Sequence, residues 1–153
     1  MTELKYQDLD LHNDQDVAEV AKIHCEAPGE WVPDHSYADD SVARAVENLR
    51  SSKHCSYVVL ARRTDDRIVG MHWVQIEARS EAKFGNIFSL WVHPKYRQQG
   101  VATRLKELAE FWLRSNEVSE IRTNVYLENR RMMALNEKLG YKVVLVGMSK
   151  QLK

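Results

Sequence analysis

The stretch Val92-His93-Pro94-Lys95-Tyr96-Arg97-Gln98-Gln99-Gly100-Val101-Ala102-Thr103-Arg104-Leu105 joins an apolar run, Ile87-Phe88-Ser89-Leu90-Trp91-Val92, to an amphipathic helix. Val101, Leu105, Leu108 and Trp112 recur at the spacing of one apolar helical stripe, with Lys106, Glu107, Glu110 and Arg114 off it. The start of this helix departs from the usual rule. About four backbone N–H groups at a helix start lack partners, and Ser, Thr, Asp or Asn at the cap normally meets them, with acids in the first turn. Here the start reads Gln98-Gln99-Gly100, no acid comes before Glu107, and bases stand at Lys95, Arg97, Arg104 and Lys106. The chain uses the ordinary solution elsewhere, at Asn13-Asp14-Gln15-Asp16 and Asp39-Asp40-Ser41. Positive charge against the positive end of a helix dipole is unfavourable unless an anion fills the gap. Gly100, with no Cβ, lets backbone N–H groups approach such a ligand closely. The spacing fits a phosphate-holding turn, and it also fits a tight strand-to-helix turn ringed by solvated bases.

Outward from this stretch, the pattern alternates between strands and helices. Leu4, Tyr6, Leu9 and Leu11 suggest a short first strand, and residues 14–27 a helix with Val17, Val20, Ala21 and His24 on one face. Pro28, Gly29 and Pro33 break the segment from Glu26 to Ser36. Val42, Ala45, Val46 and Leu49 define the next helix. Strands follow over Cys55 to Arg62, Ile68 to about Ala78, and up to Val92, separated by turns at Thr64–Arg67 and Ser80–Lys83. Past the third helix come a strand over Glu120–Tyr126, a short helix from Asn129 to Leu139 stopped by Gly140, and a strand-like tail from Tyr141 to Leu152. This order describes an α/β fold, a three-layer α/β/α sandwich on a mixed, mainly antiparallel central sheet. No repeat or linker interrupts it, so residues 1–153 are expected to form a single domain.

The motifs resemble those of a family. Val92-x-Pro94-x-x-Arg97-x-x-Gly100-x-Ala102 resembles the acyl-CoA pyrophosphate loop of the GCN5-related N-acetyltransferase (GNAT) superfamily. Thr123, Asn129-Arg130-Arg131-Met132 and Asn136-Glu137-Lys138-Leu139-Gly140-Tyr141 resemble that superfamily's last motif. The two occur in the expected order over roughly residues 83–145. The resemblance implies the acyl-CoA N-acyltransferase fold and acetyl-CoA as acyl donor. It implies a cofactor site made of Leu90, Trp91 and Val92 at the strand end, the loop residues Arg97, Gln98, Gln99, Gly100, Val101, Ala102, Thr103 and Arg104, and Asn129 and Asn136. The implied activity is N-acetyl transfer to a primary amine of a small molecule or peptide, by direct attack in a ternary complex. A catalytically weak acyl-CoA-binding sensor or regulatory module is the alternative.

Composition bounds the partners. With 22 basic and 22 acidic residues the formal net charge is zero, so no field draws the chain to nucleic acid or a membrane. No run approaches the roughly 20 apolar residues of a membrane span, and the first twenty residues lack a signal-peptide core. Cys25 and Cys55 have no metal-type spacing, so no metal is expected, and small buried thiols suit a reducing cytoplasm. A homodimer is allowed.

Acetyl transfer needs a neutral amine, a stabilised oxyanion and a protonated leaving thiolate. Presenting a lysine-like amine neutral at pH 7 costs roughly 4.6 kcal/mol, about 3.4 units at 1.36 each. The positions that the resemblance assigns to acid and base hold Asn86, Asn124 and Asn136, neutral amides that can serve as neither. Glu77, on the same strand face as Met71, Trp73 and Gln75, is the candidate base, set against a solvent-facing carboxylate. His72 is expected in the core, while His93 and Tyr126 are further candidates. Trp31, Trp73 and Trp91 with Tyr37 and Tyr57 could line an acceptor pocket, and Glu26, Glu30 and Asp34 beside Trp31 suit a cationic amine.

Overall fold

The computed structural model describes residues 3–153, so the first two residues of the expected domain lie outside the described residues. Five strands form one sheet in the order of the chain: β1 (Lys5–Asp8), β2 (Ser56–Arg62), β3 (Ile68–Arg79), β4 (Ala82–Val92) and β5 (Ile121–Arg122). Neighbours run antiparallel from β1 to β4, and β5 joins β4 in parallel. This is the mixed, mainly antiparallel sheet that the sequence pattern predicts.

Helices cover both faces. α1 (Asp14–Glu26) and α2 (Ser41–Ser51) bury Val17, Val20 and Leu49 against Leu60, Met71 and Trp73. On the other face, α3 (Val101–Ser115) sets Val101 and Leu105 against Val59, Ala61, Val69, Leu90 and Val92, then Ala109 and Leu113 against Val74. The alternation of β3 makes this possible, since successive strand residues point to opposite faces. α4 (Arg130–Lys138) lies on the α3 side, where Met132 packs on the Leu105 cluster.

Local chemistry explains the element starts. Asn13 caps α1 by accepting the Asp16 amide at 3.1 Å, and Asn129 caps α4 by accepting that of Met132 at 3.3 Å. Asp40 stands at the α2 cap without making such a bond.

Three expectations are corrected. The strand expected over Glu120–Tyr126 pairs only at Ile121 and Arg122, because Thr123–Tyr126 turns away from β4. The tail from Tyr141 forms no strand, and Val143, Val144, Leu145, Val146, Met148 and Leu152 are exposed. Its composition supplies strand propensity, but a strand also needs a ladder partner, and β5 presents only two paired residues. Lys106, read from the helical stripe as solvent-facing, is 1% exposed. The buried face of α3 is wider than one stripe, because Tyr141, arriving after α4, covers its flank.

Gly85 sits where β4 meets β5, opposite Ile121. A Cβ there would stand 2.6 and 2.8 Å from the two Leu113 methyl groups of α3, which are already packed in the core. Overpacking of this kind costs about 1–3 kcal/mol. Gly85→Ala is therefore expected to lower Tm by several degrees in thermal denaturation. An unchanged Tm would contradict this close approach of α3 to the sheet.

Candidate active-site cleft

β4 and β5 pair at two positions, Gly85↔Ile121 and Asn86↔Arg122, and then separate. A bulge in β4 accompanies the separation. Trp73 pairs with Ser89 and Val74 with Ile87, so Phe88 is the extra residue. The Phe88 ring stacks on Trp73 at 5.1 Å, and the Ser89 carbonyl accepts a 2.8 Å bond from Nδ1 of buried His72. Burial, with the charge of Lys106 added, pushes the His72 pKa down to about 3, so the ring is neutral. His72 is in the core as expected, and there it braces the bulged strand.

The gap between the diverging strands opens into a cleft. Residues 87–90 of β4 form one wall and residues 123–126 the other, with Asn129, Met132 and Asn136 of α4. Lys106 closes it from α3, and His24, Ala27, Pro28 and Trp31 close it from the α1 side. Asn136 is 4% exposed, and its Oδ1 has no hydrogen-bond partner among the described residues. The same holds for Nδ1 of His24, whose pKa burial lowers.

The α3 start lies beside this cleft. Gly100 is left-handed (φ 80°), Gln98 also has positive φ (58°), and no side chain caps the helix. Arg104 N–H makes the first helical bond, to Gly100 at 2.9 Å, so the amides of Val101, Ala102 and Thr103 have no partner within the helix. Side chains shape the loop from behind. Arg97 donates from Nε to the Val92 carbonyl at 2.8 Å, and Gln99 from its amide to the Lys95 carbonyl at 2.9 Å. Arg97 also pairs with Glu30 at 2.5 Å, and the Trp91 indole donates to the same carboxylate at 3.3 Å. Arg97 is thus a builder of the turn. Lys95 and Arg104 stay exposed, Arg104 pairing with Glu107 at 3.3 Å.

The structure brings Leu90, Asn129 and Asn136 together in the cleft, with Val92 and Val101 in the core beneath the turn and Trp91, Ala102 and Thr103 half-buried. Asn124 and Tyr126 also line it. Glu77 does not: it lies toward the outer end of β3, paired with Phe84, and its carboxylate accepts from Asn86 at 2.8 Å. His93 accepts the Lys95 amide at 3.2 Å as a turn cap. Of the aromatic set, Trp31 lines the cleft, while Trp73 is fully buried and Tyr57 stacks on Trp112.

Sequence reasoning placed His24 on the inward face of its helix without giving it a place in the site, and missed the burial of Lys106. A signal for Lys106 exists, since Ala102, Lys106, Ala109 and Leu113 form a second 4-3-4 series beside the first. The Lys106 ammonium lies 4.6 Å from the Tyr141 ring centroid and 3.5 Å from its hydroxyl. Burial pushes its pKa down to about 8, against a smaller upward pull from Glu110.

A family model described as the acetyltransferase (GNAT) family matches residues 17–141. No curated protein matches the chain. Solved structures share the fold. Glucosamine-6-phosphate N-acetyltransferase from Arabidopsis thaliana is 18% identical with a TM-score of 0.70, covering 99% of each chain. AAC(6')-Iy, solved with the bisubstrate analog CoA-S-monomethyl-acetylneamine, is 15% identical with a TM-score of 0.73, again over 99% of each chain. A Clostridium acetobutylicum protein, described as a predicted acetyltransferase with acetyl-CoA, is 12% identical with a TM-score of 0.77, over 97% of this chain and 96% of that one.

The buried ammonium has a stability consequence with a definite sign. Below pH 8 both folded and unfolded states hold the Lys106 proton, and the folded state bears the full cost of burying it. Between about 8 and 10.5 the folded state releases the proton while the unfolded state keeps it, so stability rises with pH. Lys106→Met is accordingly expected to stabilise the fold at pH 7 by a few kcal/mol, on the order of 2–4. That gain should shrink between pH 8 and 10.5 in urea titrations. A variant less stable than the parent at pH 7 would contradict the burial.

Proposed function

Because the chain belongs to the acetyltransferase (GNAT) family, we propose that it moves the acetyl group of acetyl-CoA to a primary amine of a small molecule or peptide. The amine attacks the thioester directly, in a ternary complex. The observation that carries this reading is an uncapped helix start beside a cleft made by two diverging strands. The free amides of Val101, Ala102 and Thr103 suit a diphosphate, reinforced by the helix dipole and the exposed Lys95 and Arg104. Beyond Asn86 the β5 side of β4 has no strand partner among the described residues, so its backbone can hydrogen-bond an extended amide-containing arm as another strand would. The thioester then lies among Leu90, Asn129 and Asn136. Backbone N–H groups of the bulged strand are available to the oxyanion.

The acceptor enters from the α1 side, past Pro28 and Trp31, where the indole ring face suits a cationic amine. Two of the solved neighbours, an N-acetyltransferase and an enzyme holding an acetylneamine bisubstrate analog, support an amine as acceptor class. The sensor alternative draws on the amides at 86, 124 and 136, and turnover of any amine by CoA-binding protein decides against it. The free thiols Cys25 and Cys55 are in keeping with a cytoplasmic location, and no helix among the described residues is long and apolar enough to cross a membrane.

Two tests follow from these roles. Gly100→Asp adds a Cβ at a left-handed position and a repelling charge at the amides. Calorimetry is expected to show CoA binding weakened by more than the roughly 1.5–3 kcal/mol of one charged hydrogen bond. Unchanged affinity in a folded variant would remove the diphosphate from this turn. For proton removal from the amine, Glu77 is proposed as base, reaching the cleft through water beside Asn86. Glu77→Gln should then lower kcat/KM by about 10²–10⁴-fold, and a loss below about threefold assigns the proton to solvent instead.

A further inference from the structure

We propose that Lys106 is the acid that protonates the departing CoA sulfur, taking the place left without a titratable group by Asn136. The proposal rests on reading the cleft as the thioester site. Three observations of this chain carry it.

The first is placement. Lys106 lies six residues past Gly100, about 9 Å along the helix axis at 1.5 Å per residue, and its side chain lines the cleft together with Leu90 and Asn136. An arm that starts at the helix N-terminus and follows β4 into the gap therefore ends beside this ammonium. The second is the absence of an internal counter-charge. No carboxylate lies within 4.0 Å of Nζ among the described residues, and Glu110, on the same helix, pairs with Arg114 at 3.0 Å. The other groups facing Nζ carry no negative charge. Tyr141 packs its ring and hydroxyl against it and, with its pKa raised by burial, stays protonated; His72 of β3 and His24 of α1 are neutral. The third is the cost. A buried ammonium without a partner destabilises the fold, and an apolar side chain would fill the position as well, so a charge held there marks a ligand that supplies the opposite sign.

In the reaction, negative charge develops first on the carbonyl oxygen, which the strand amides can meet, and then on sulfur as the tetrahedral intermediate collapses. The amine lone pair attacks the thioester carbonyl, and the C–S bond breaks with its electron pair going to sulfur. A proton passes from Nζ to sulfur, giving CoA thiol and neutral Lys106. The surplus proton on the acceptor nitrogen leaves by way of the base proposed above, Glu77 through water, and Lys106 takes a proton back from solvent. The lowered Lys106 pKa serves this step, because a group near pH 8 is still protonated at pH 7 and yet a stronger acid than an ordinary lysine. Tyr141 is a positioning residue that holds the ammonium by its ring face.

The test uses free CoA as the probe and needs no acceptor. Calorimetry first establishes CoA binding, and the ultraviolet absorbance of the thiolate is then followed against pH for bound and free CoA. An opposite charge within about 4–6 Å lowers an acid's pKa by about 1–3 units. The bound thiol is therefore expected to titrate about one unit or more below free CoA, and Lys106→Met to abolish that difference while still binding CoA. A bound thiol that titrates with free CoA in the parent protein would overturn the proposal without reference to any variant. So would an equal shift in parent and Lys106→Met. Absence of CoA binding would overturn the cleft assignment, and the role of Lys106 with it.

Discussion

The separation of β4 from β5 after two paired residues is the constraint on which the rest of this molecule depends. A parallel ladder continued past Asn86 would close the sheet and leave no room between the strands. The Phe88 bulge redirects β4, and packing on both faces fixes the bulge: the Phe88 ring on Trp73 toward α1, and the His72 imidazole bonding Ser89 toward α3. The strand edge thereby left unpaired is costly in isolation, because buried backbone groups need partners. It becomes favourable when an extended ligand completes the ladder. In the proposed reading the uncapped α3 start has the same logic, its free amides suiting an anion.

These features share a pattern in which the fold gives up stability near the cleft. Lys106 is buried without a carboxylate, and His24 Nδ1, His72 Nε2 and Asn136 Oδ1 are buried without hydrogen-bond partners among the described residues. Away from the cleft, Arg62 Nε and Arg63 Nε also lack partners among the described residues, but the packing is otherwise regular. Arg62 pairs with Asp16 across the β2–α1 contact, Asn13 caps α1, and Val17, Val20, Leu60 and Trp73 fill a fully buried core. Three of the five unmet buried polar atoms among the described residues, and the uncapped helix start, thus lie in or next to the cleft, as a binding site requires.

The parts of this arrangement governed by local sequence were legible from it. The Gln98–Gly100 start, the α3 stripe, the strand from Ile68 to about Ala78 and the Asn-initiated helix at Asn129 were read from the sequence, and the structure has all of them, the strand running to Arg79. The parts set by distant residues were not legible. Lys106 reads as a surface lysine until Tyr141 arrives from beyond α4 to cover it. Glu77 lies on the face expected of it, yet the path of β4 leaves it away from the cleft. Arg97 looks like a phosphate reader until Glu30, from the loop after α1, takes its guanidinium. The tail shows the converse limit: Val143–Val146 has a strand's composition, but pairing is a property of two segments.

The central claim, that an acyl-CoA lies across the α3 start and along the unpaired edge of β4, is tested most directly by amide hydrogen exchange with and without acetyl-CoA. The amides of residues 87–92 and of residues 99–103 are expected to slow together on ligand addition, while β1 and α2 remain unchanged. Protection confined to other elements, or none at saturating acetyl-CoA, would contradict the account.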